Sequence, residues 1–119
     1  DIQEANLYAW HSTVHTKTDH SGVGKGYGGG GNGWSGPRDW TVEQYSPGGK
    51  CIDTEEPFQV AVSFHIDGEG MLTGMQVTLT QEGKDCPLSI NVNQYMGMAE
   101  LTKALQDGMT PVISYWSSN

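Results

Sequence analysis

The sequence has 119 residues, which is enough for one small domain, and its 14 acidic and 6 basic residues give a net charge of −8. This charge argues against a nucleic-acid-binding protein, because such proteins present a basic surface to the phosphates, and no apolar run approaches membrane-spanning length. The 17 glycines, the low charged content and the many β-branched and aromatic residues favour an all-β protein.

Residues 1–16 are predicted to form one strand, whose start carries two carboxylates, Asp1 and Glu4. Side chains alternate between faces along a strand, so a regular strand would point these acids to opposite sides. One extra residue, a β-bulge, would bring both onto one face, and bulges are common beside active sites. Two carboxylates on one face, one protonated and one ionised, are what glycoside hydrolysis needs. Two acids near a terminus are more commonly part of a solvated surface, since acidic side chains are mostly exposed.

Three histidines in and after this segment raise the question of a metal site. His11 and His15 are four residues apart, as on one face of a zinc-binding helix, and His20 lies in a polar loop. The β-branched residues between His11 and His15, and the missing Glu of the metalloprotease motif, argue against such a helix. We therefore predict no metal site. His15 alone is also compatible with a hydrogen-bonded structural histidine.

Residues 17–50 are predicted to be a long loop region rich in glycine and aromatic residues. Gly24, Gly26 and Gly29 fit the spacing of a dinucleotide-binding loop, but no buried strand precedes them and no helix follows, so we predict no nucleotide site. Aromatic rings on loops above a sheet can stack on sugar rings or can cover the sheet edge. The rings concerned belong to Tyr27, Trp34, Trp40 and Tyr45.

Residues 51–86 are predicted to contain a β-hairpin with one buried face. Apolar and polar residues alternate on both sides of the turn Asp67-Gly68-Glu69-Gly70. A slip of one residue would move the apolar side chains to the wrong face, so the register is well specified. Centring the hairpin on this turn predicts that Ile66 faces Met71, Phe64 faces Thr73, Val62 faces Met75, Val60 faces Val77 and Phe58 faces Leu79.

The two cysteines of the chain, Cys51 and Cys86, face each other if the same register is extended to the open end of the hairpin. We predict a disulfide between them, although Pro57 and Pro87 disturb the strands. A structural disulfide indicates an extracellular or secretory setting. The alternative is a pair of buried thiols in a cytosolic protein.

The rest of the chain is predicted to form a strand, a helix and a strand. Residues 88–96 alternate between apolar and polar side chains, and 97–108 carry an apolar stripe at helical spacing that ends at Gly108. Residues 109–118 return to a strand, with Pro111 near its start, where a missing N–H is tolerated. Trp116 near its end is either a platform for a sugar ring or a core residue.

The segment Asp1-Ile2-Gln3-Glu4-Ala5-Asn6 resembles the catalytic signature of glycoside hydrolase family 7, the retaining cellulases, which reads Glu-x-Asp-x-x-Glu-Ala-Asn. The resemblance implies that Asp1 is the assisting acid and Glu4 the acid/base, and it places the nucleophile two residues before Asp1, outside this sequence. His15 matches a site histidine of the family. Gln3 departs from the pattern, since many members have Trp there. Family 16 of the same clan shares the Glu-x-Asp-x-x-Glu arrangement.

Further segments resemble loops of that family and one of its later strands, so the likeness covers nearly the whole chain. The later strand, 112–118 here, carries a sugar-stacking Trp in the family, and Arg38 lies near the position of a cleft Arg. The resemblance therefore makes these residues candidates for substrate binding: Trp116, Arg38, Tyr27, Trp34 and Trp40.

The resemblance implies an all-β fold, an antiparallel two-sheet β-sandwich of the concanavalin-like jelly-roll kind, with one short helix. Residues 1–119 would form a single partial domain, because the domain of the family is several times longer. We expect exposed sheet faces that the remainder of the domain or other chains would cover. The parent protein is expected to be a secreted, retaining β-glucanase that acts on a β-1,4-glucan such as cellulose, without a cofactor.

Two other functions remain open. The chain could be a noncatalytic carbohydrate-binding or interaction module, or an accessory subunit of a larger assembly. An acidic residue beside Glu4 on a neighbouring strand or chain would favour the enzyme, and its absence would favour the binding module. Apolar faces packed against other chains would favour the accessory subunit.

Overall fold

Two β-sheets pack around a shared aromatic and aliphatic core. The computed structural model describes residues 1–28 and 38–117, which form nine strands and one helix. In chain order these are β1 (Gln3–Ala5), β2 (Ala9–Val14), β3 (Val23–Gly28), β4 (Tyr45–Ser46), β5 (Ile52–Asp53), β6 (Gln59–Ile66), β7 (Leu72–Thr80), β8 (Leu88–Val92), α1 (Met98–Asp107) and β9 (Ile113–Tyr115).

The larger sheet has the strand order β3-β2-β1-β9 and the smaller one β6-β7-β8, with β4 and β5 as a separate short pair. The predicted all-β fold, a partial β-sandwich with one short helix, is confirmed. Most neighbouring strands are antiparallel, but β1 and β9 run parallel, as do β4 and β5. β1 and β9 are joined by a long connection, which includes the whole smaller sheet and α1.

Aromatic rings join the two sheets. Trp10 of β2 packs on Trp40 with ring centroids 4.9 Å apart, and the Trp40 indole N–H donates to the carbonyl oxygen of Ser89 in β8 at 3.3 Å. Tyr45 packs against Trp40 and is 1% exposed. Its hydroxyl donates to the Asn6 carbonyl oxygen at 2.9 Å, and burial raises the pKa of Tyr45, which keeps this donor protonated. The rings therefore bury their apolar bodies while their polar atoms keep partners.

The first 16 residues form a hairpin, which corrects the prediction of one continuous strand. The chain reverses between β1 and β2 at Asn6-Leu7-Tyr8. The Asn6 side-chain oxygen accepts hydrogen bonds from the backbone N–H groups of Tyr8 and Ala9, at 2.8 and 2.9 Å. Asn commonly bonds to backbone groups two or three residues ahead in this way, and it thereby forms a turn.

The predicted loop region 17–50 contains a strand, β3, which is a second correction. Gly24, Gly26 and Gly28 suggested a flexible linker, but they alternate with Val23, Lys25 and Tyr27, and the whole segment pairs with β2. The Tyr27 ring is buried in the core. Tertiary pairing with β2 therefore outweighs the low strand preference of glycine.

The β6–β7 hairpin forms with a register two residues away from the predicted one. Val62 faces Val77 and Phe64 faces Met75. The turn is longer than predicted, because Gly70 adopts a positive φ of 82° and Asp67 closes on Met71. A bulge near His65 adds one more residue. A shift of two keeps the same side chains on the core-facing side of β6, where Val60 and Val62 are partly buried.

The same bulge changes which side chains face the core near the start of β7. Thr73 is the extra residue, since Ile66 pairs with Leu72 and His65 with Gly74. As a result Leu72 is buried, whereas Met71 and Thr73, which the prediction placed on the core face, are exposed.

The remaining elements lie where the sequence predicts them. β8 alternates between buried and exposed residues, and α1 ends at Gly108, whose N–H donates to the Leu105 carbonyl oxygen. Leu101 and Thr102 are the buried residues of α1, and the Thr102 hydroxyl oxygen accepts a hydrogen bond from the Leu72 N–H at 2.8 Å. In the described part of the chain, no helix is long and apolar enough to cross a membrane.

The predicted disulfide between Cys51 and Cys86 is present, with a Cα–Cα distance of 5.0 Å. Cys51 directly precedes β5, and Cys86 lies between β7 and β8. The bond therefore ties the β4–β5 segment to the smaller sheet.

Removing this disulfide by the double substitution Cys51→Ser and Cys86→Ser should lower the free energy of unfolding by about 2–4 kcal/mol, because the bond restricts the unfolded chain. The cysteines are 35 residues apart, so a long loop is closed. Urea unfolding of both proteins, with and without reductant, checks this. Reductant should shift the midpoint of the wild type alone, and equal midpoints without reductant would contradict the prediction.

Candidate active site

A β-bulge at Ile2 and Gln3 places Asp1 and Glu4 on the same face of the larger sheet. Asp1 exchanges two backbone hydrogen bonds with Thr13, at 2.9 and 3.0 Å, while Glu4 pairs with His11. Asp1 and Glu4 are three residues apart, whereas their partners on β2, Thr13 and His11, are two residues apart. The chain around β1 therefore contains one extra residue here. The N–H groups of Ile2 and Gln3 both donate to the Val112 carbonyl oxygen, at 3.0 and 3.4 Å. Because residues two apart on β2 share a face, their partners Asp1 and Glu4 share it as well.

The opposite face of β1 belongs to the core. Ala5 is buried there beside Trp10, and the Gln3 side-chain oxygen accepts a hydrogen bond from the Trp10 indole N–H at 2.8 Å. Gln3, the residue that departs from the family signature, thus provides the hydrogen-bond partner of a buried indole. Its contribution is to packing, on the side of the strand away from the carboxylates.

His15 lies beside Asp1. Its Nε2 is 3.5 Å from the Asp1 carboxylate, and its Nδ1 is 3.0 Å from the Thr16 carbonyl oxygen. A carbonyl can only accept, so Nδ1 carries the proton and Nε2 is directed at the acid. About a third of each side chain is exposed, 35% for His15 and 30% for Asp1. The pair is therefore open to a ligand from solvent.

Trp116 is an exposed ring on the same face as Glu4. Glu4 pairs with Ser114 on β9, and the Trp116 indole N–H donates to the Ser114 hydroxyl oxygen at 2.7 Å. Its backbone is held at Asn6, whose side-chain amide donates to the Trp116 carbonyl oxygen at 3.0 Å. The side chain is fixed at one end while the residue remains 56% exposed. An exposed ring that is already ordered is suited to stacking on a ligand.

His11 lies directly opposite Glu4 on β2 and is half-buried. Its Nδ1 is 3.2 Å from the Thr13 hydroxyl oxygen, and its ring lies over Gly24, where any side chain would collide with it. Burial lowers the pKa of His11, while the negative charges of Glu4 and then Asp39 oppose this effect. His11 is therefore a neutral imidazole at neutral pH, next to the proposed acid/base.

Two of the predicted substrate-binding aromatic residues lie in the core instead, which is a correction. Tyr27 is 4% exposed and Trp40 is 6% exposed. Their rings pack on Tyr45 between the sheets. The sequence pattern allowed both stacking on sugars and covering the sheet, and the structure shows the second. Trp34 lies outside the described residues.

Arg38 does not join the face that carries Glu4. It forms an isolated antiparallel bridge with Tyr27, whose side chain points into the core. The next residue, Asp39, reaches the Glu4 face instead. Its side chain accepts a hydrogen bond from the Gly26 N–H at 2.8 Å, and its charge acts on His11.

The sequence reasoning missed four residues of this face: His11, Thr13, Asp39 and Ser114. A hairpin turn at Asn6 would have predicted His11 opposite Glu4, because Asn at a turn is a recognisable signal. Ser114 and Asp39 come from distant segments, and no local pattern connects them to Glu4. Among the described residues, no three His, Cys, Asp or Glu side chains are placed to hold a metal ion.

The face combines the half-buried carboxylate of Glu4 with two further acids, Asp1 and Asp39, two imidazoles and an ordered indole ring. Such an arrangement can transfer a proton to a bound molecule and can orient a flat, hydroxyl-rich ligand over the sheet.

Comparison with known proteins gives one consistent relationship. The chain is similar to an endoglucanase. It is 30% identical over 130 aligned residues to the protein named Endoglucanase EG-1 of Hypocrea jecorina, and the match covers 97% of this chain and 26% of that protein. The same values hold for Endoglucanase EG-1 of Trichoderma longibrachiatum. The chain thus spans about a quarter of the length of these curated relatives. No family model matches the chain, and no solved structure gives a significant match.

The burial of His11 predicts that stability falls when the pH drops below about 6.5, the ordinary histidine pKa, because the unfolded chain then binds a proton that the folded state resists. The contribution of His11 is fully present above that pH and is lost as the pH falls toward the lowered pKa of the folded state. Urea unfolding between pH 7.5 and pH 5 checks this, since His11→Gln should lose less stability over this range than the wild type. His65→Gln, at an exposed position, should behave like the wild type. A steeper loss in His11→Gln would contradict the prediction.

Proposed function

We propose that the chain is part of a secreted, retaining β-glucanase of the cellulase type, related to glycoside hydrolase family 7, with Glu4 as its acid/base. The observation that carries the proposal is the bulge that brings Asp1 and Glu4 onto one face. The ordered, exposed ring of Trp116 beside Glu4 supports it. The 30% identity to an endoglucanase over nearly the whole chain supports it independently.

In the proposed reaction, the nucleophilic carboxylate attacks the anomeric carbon while the Glu4 carboxyl group protonates the glycosidic oxygen. The leaving sugar departs with its hydroxyl group, and a glycosyl-enzyme intermediate is formed. The Glu4 carboxylate then removes a proton from the water that hydrolyses this intermediate. Glu4 is half-buried, and its direct neighbours on the adjacent strands are His11 and Ser114.

The resemblance places the nucleophile two residues before Asp1. Residues two apart on a strand share a face, so a glutamate there would project onto the face of Asp1 and Glu4. Asp1 would then orient the nucleophile, and His15 would hold Asp1 through the 3.5 Å contact. Trp116 would stack on a sugar unit of the glucan, one step along the sheet from Glu4.

An uncovered apolar surface between the sheets supports the proposal that residues 1–119 belong to a larger jelly-roll domain. A cavity of about 480 Å³ opens beside α1 and the start of β9. Large apolar side chains are exposed near it, and soluble proteins rarely leave such surfaces uncovered. The exposed residues include Phe64, Ile66, Met109, Val112 and Ile113. We propose that the remainder of the domain, or other chains, covers this surface, and the disulfide is consistent with secretion.

A noncatalytic carbohydrate-binding module is the second candidate, and one observation favours it. The direct neighbours of Glu4 on the adjacent strands are His11 and Ser114, and neither is acidic. Within the described residues, the other acids of the face are Asp1, on the same side of the bulged strand, and Asp39, which is held at Gly26 on the far side of His11. The enzyme therefore requires a nucleophile from outside the 119 residues, whereas sugar binding requires only the face itself.

The decisive first measurement is the intact mass of the natural protein together with the sequence that precedes Asp1. We expect a species several-fold heavier than this chain, with a glutamate two residues before Asp1. A mature protein without that glutamate would overturn the enzyme and favour the binding module.

In the protein that contains the nucleophile, Glu4→Gln should lower kcat on cello-oligosaccharides by roughly 10²- to 10⁴-fold, the usual contribution of general acid–base catalysis. The first step should be impaired much less on an aryl glycoside whose leaving group needs no proton. Burst-phase kinetics with both substrates would measure this difference. Glu69→Gln, in the exposed β6–β7 turn, is the matched control and should retain activity. Equal losses on both substrates would rule out Glu4 as the acid.

A further inference from the structure

His11 occupies the position beside Glu4 on the side away from Trp116. The strands of the larger sheet place Ser114, Glu4, His11 and Gly26 side by side in one row. Neighbouring strands are about 4.8 Å apart, so His11 is one strand from Glu4 in one direction and β9 is one strand away in the other. A ligand that lies across the strands and contacts both Trp116 and Glu4 extends next over His11.

The imidazole of His11 is held in place by three features. Its Nδ1 bonds to the Thr13 hydroxyl, its backbone belongs to the central part of β2, and its ring fills the space above Gly24. A side chain at position 24 would collide with the ring, so the glycine creates the space that the imidazole uses. The ring is therefore ordered before any ligand binds, which lowers the entropic cost of contact.

The charges around His11 favour a neutral ring. On this face, β1 presents Glu4, with Asp1 before the strand, and His15 follows β2. Asp39 is held at Gly26, and β3 presents only glycines. Burial outweighs the attraction of Glu4 and Asp39 for a proton. A neutral imidazole has one donor and one acceptor nitrogen. One nitrogen bonds to Thr13, and Nε2 has no hydrogen-bond partner among the described residues.

We propose that His11 is a substrate-binding residue, whose Nε2 forms a hydrogen bond with a hydroxyl group of the sugar unit that lies over β2, next to Glu4. The ligand class is a β-1,4-linked glucan, so the proposal rests on the proposed function and adds a contact that the family signature does not include. A sugar hydroxyl can donate or accept, so either tautomer of His11 provides a partner.

The test uses the 119-residue chain, after its dispersed NMR spectrum has confirmed that it is folded, and cellotetraose, a soluble β-1,4-glucan. The chain has four histidines, and NMR resolves each imidazole Cε1–H signal. Cellotetraose should shift the signal of His11 and change its pKa, and it should also shift the Trp116 indole N–H. His65, on the exposed side of β6 in the other sheet, is the internal control and should not respond.

Affinity provides the second readout. His11→Ala should weaken cellotetraose binding by roughly 2- to 12-fold, the equivalent of one neutral hydrogen bond. His11→Gln should recover part of this loss, because an amide can also donate and accept. His65→Ala should bind like the wild type. The NMR measurement on the wild type does not depend on whether any variant folds.

The outcomes separate this inference from the proposed function. If cellotetraose shifts Trp116 but not His11, and His11→Ala binds with unchanged affinity, the inference is overturned while the sugar-binding face stands. If neither Trp116 nor His11 responds, both proposals fail for this chain. A response of both signals, with weaker binding by His11→Ala, supports the inference.

Discussion

The pair of hydrogen bonds from Ile2 and Gln3 to one carbonyl oxygen, that of Val112, determines the geometry of the candidate site. Because of the resulting bulge, Asp1 and Glu4 share a face while Gln3 and Ala5 belong to the core. A regular strand would have turned one of the two acids into the core, where an unpaired carboxylate is strongly disfavoured. The bulge is thus compatible both with burial of one face of β1 and with a polar opposite face.

The core supports the site through β1 and β2. Gln3 holds the Trp10 indole, Trp10 packs on Trp40, and Tyr45 bonds to Asn6 at the turn that precedes β2. Gln3 and Trp10 precede Glu4 and His11 in the chain, and Asn6 holds the Trp116 backbone through its side-chain amide. The positions of Glu4, His11 and Trp116 therefore depend on buried aromatic residues that no ligand touches, so substitutions in this core should disturb the site as well as stability.

The sequence predicted which side chains share a face of a strand better than it predicted the pairing of neighbouring strands or the burial of aromatic rings. Alternation along β6 and β8 identified the buried faces, and the same logic identified the need for a bulge between Asp1 and Glu4. The β6–β7 register was wrong by two residues, because the extra residues at Gly70 and Thr73 depend on turn conformation. Tyr27 and Trp40 were assigned to a sugar-binding surface, because composition alone does not show which side of a sheet an aromatic ring covers.

The part of the site that could not be predicted comes from long-range pairing. Ser114 and Trp116 reach Glu4 only because β9 runs parallel to β1, and the acceptor of the two bulge hydrogen bonds is residue 112. The six residues that resemble the catalytic signature therefore do not define the site geometry by themselves. The strand that supplies the exposed ring also supplies the carbonyl that the bulge requires. The placement of Asp1 and Glu4 is consequently coupled to the placement of the Trp116 ring, which would hold a sugar. Both depend on the pairing of β9 with β1.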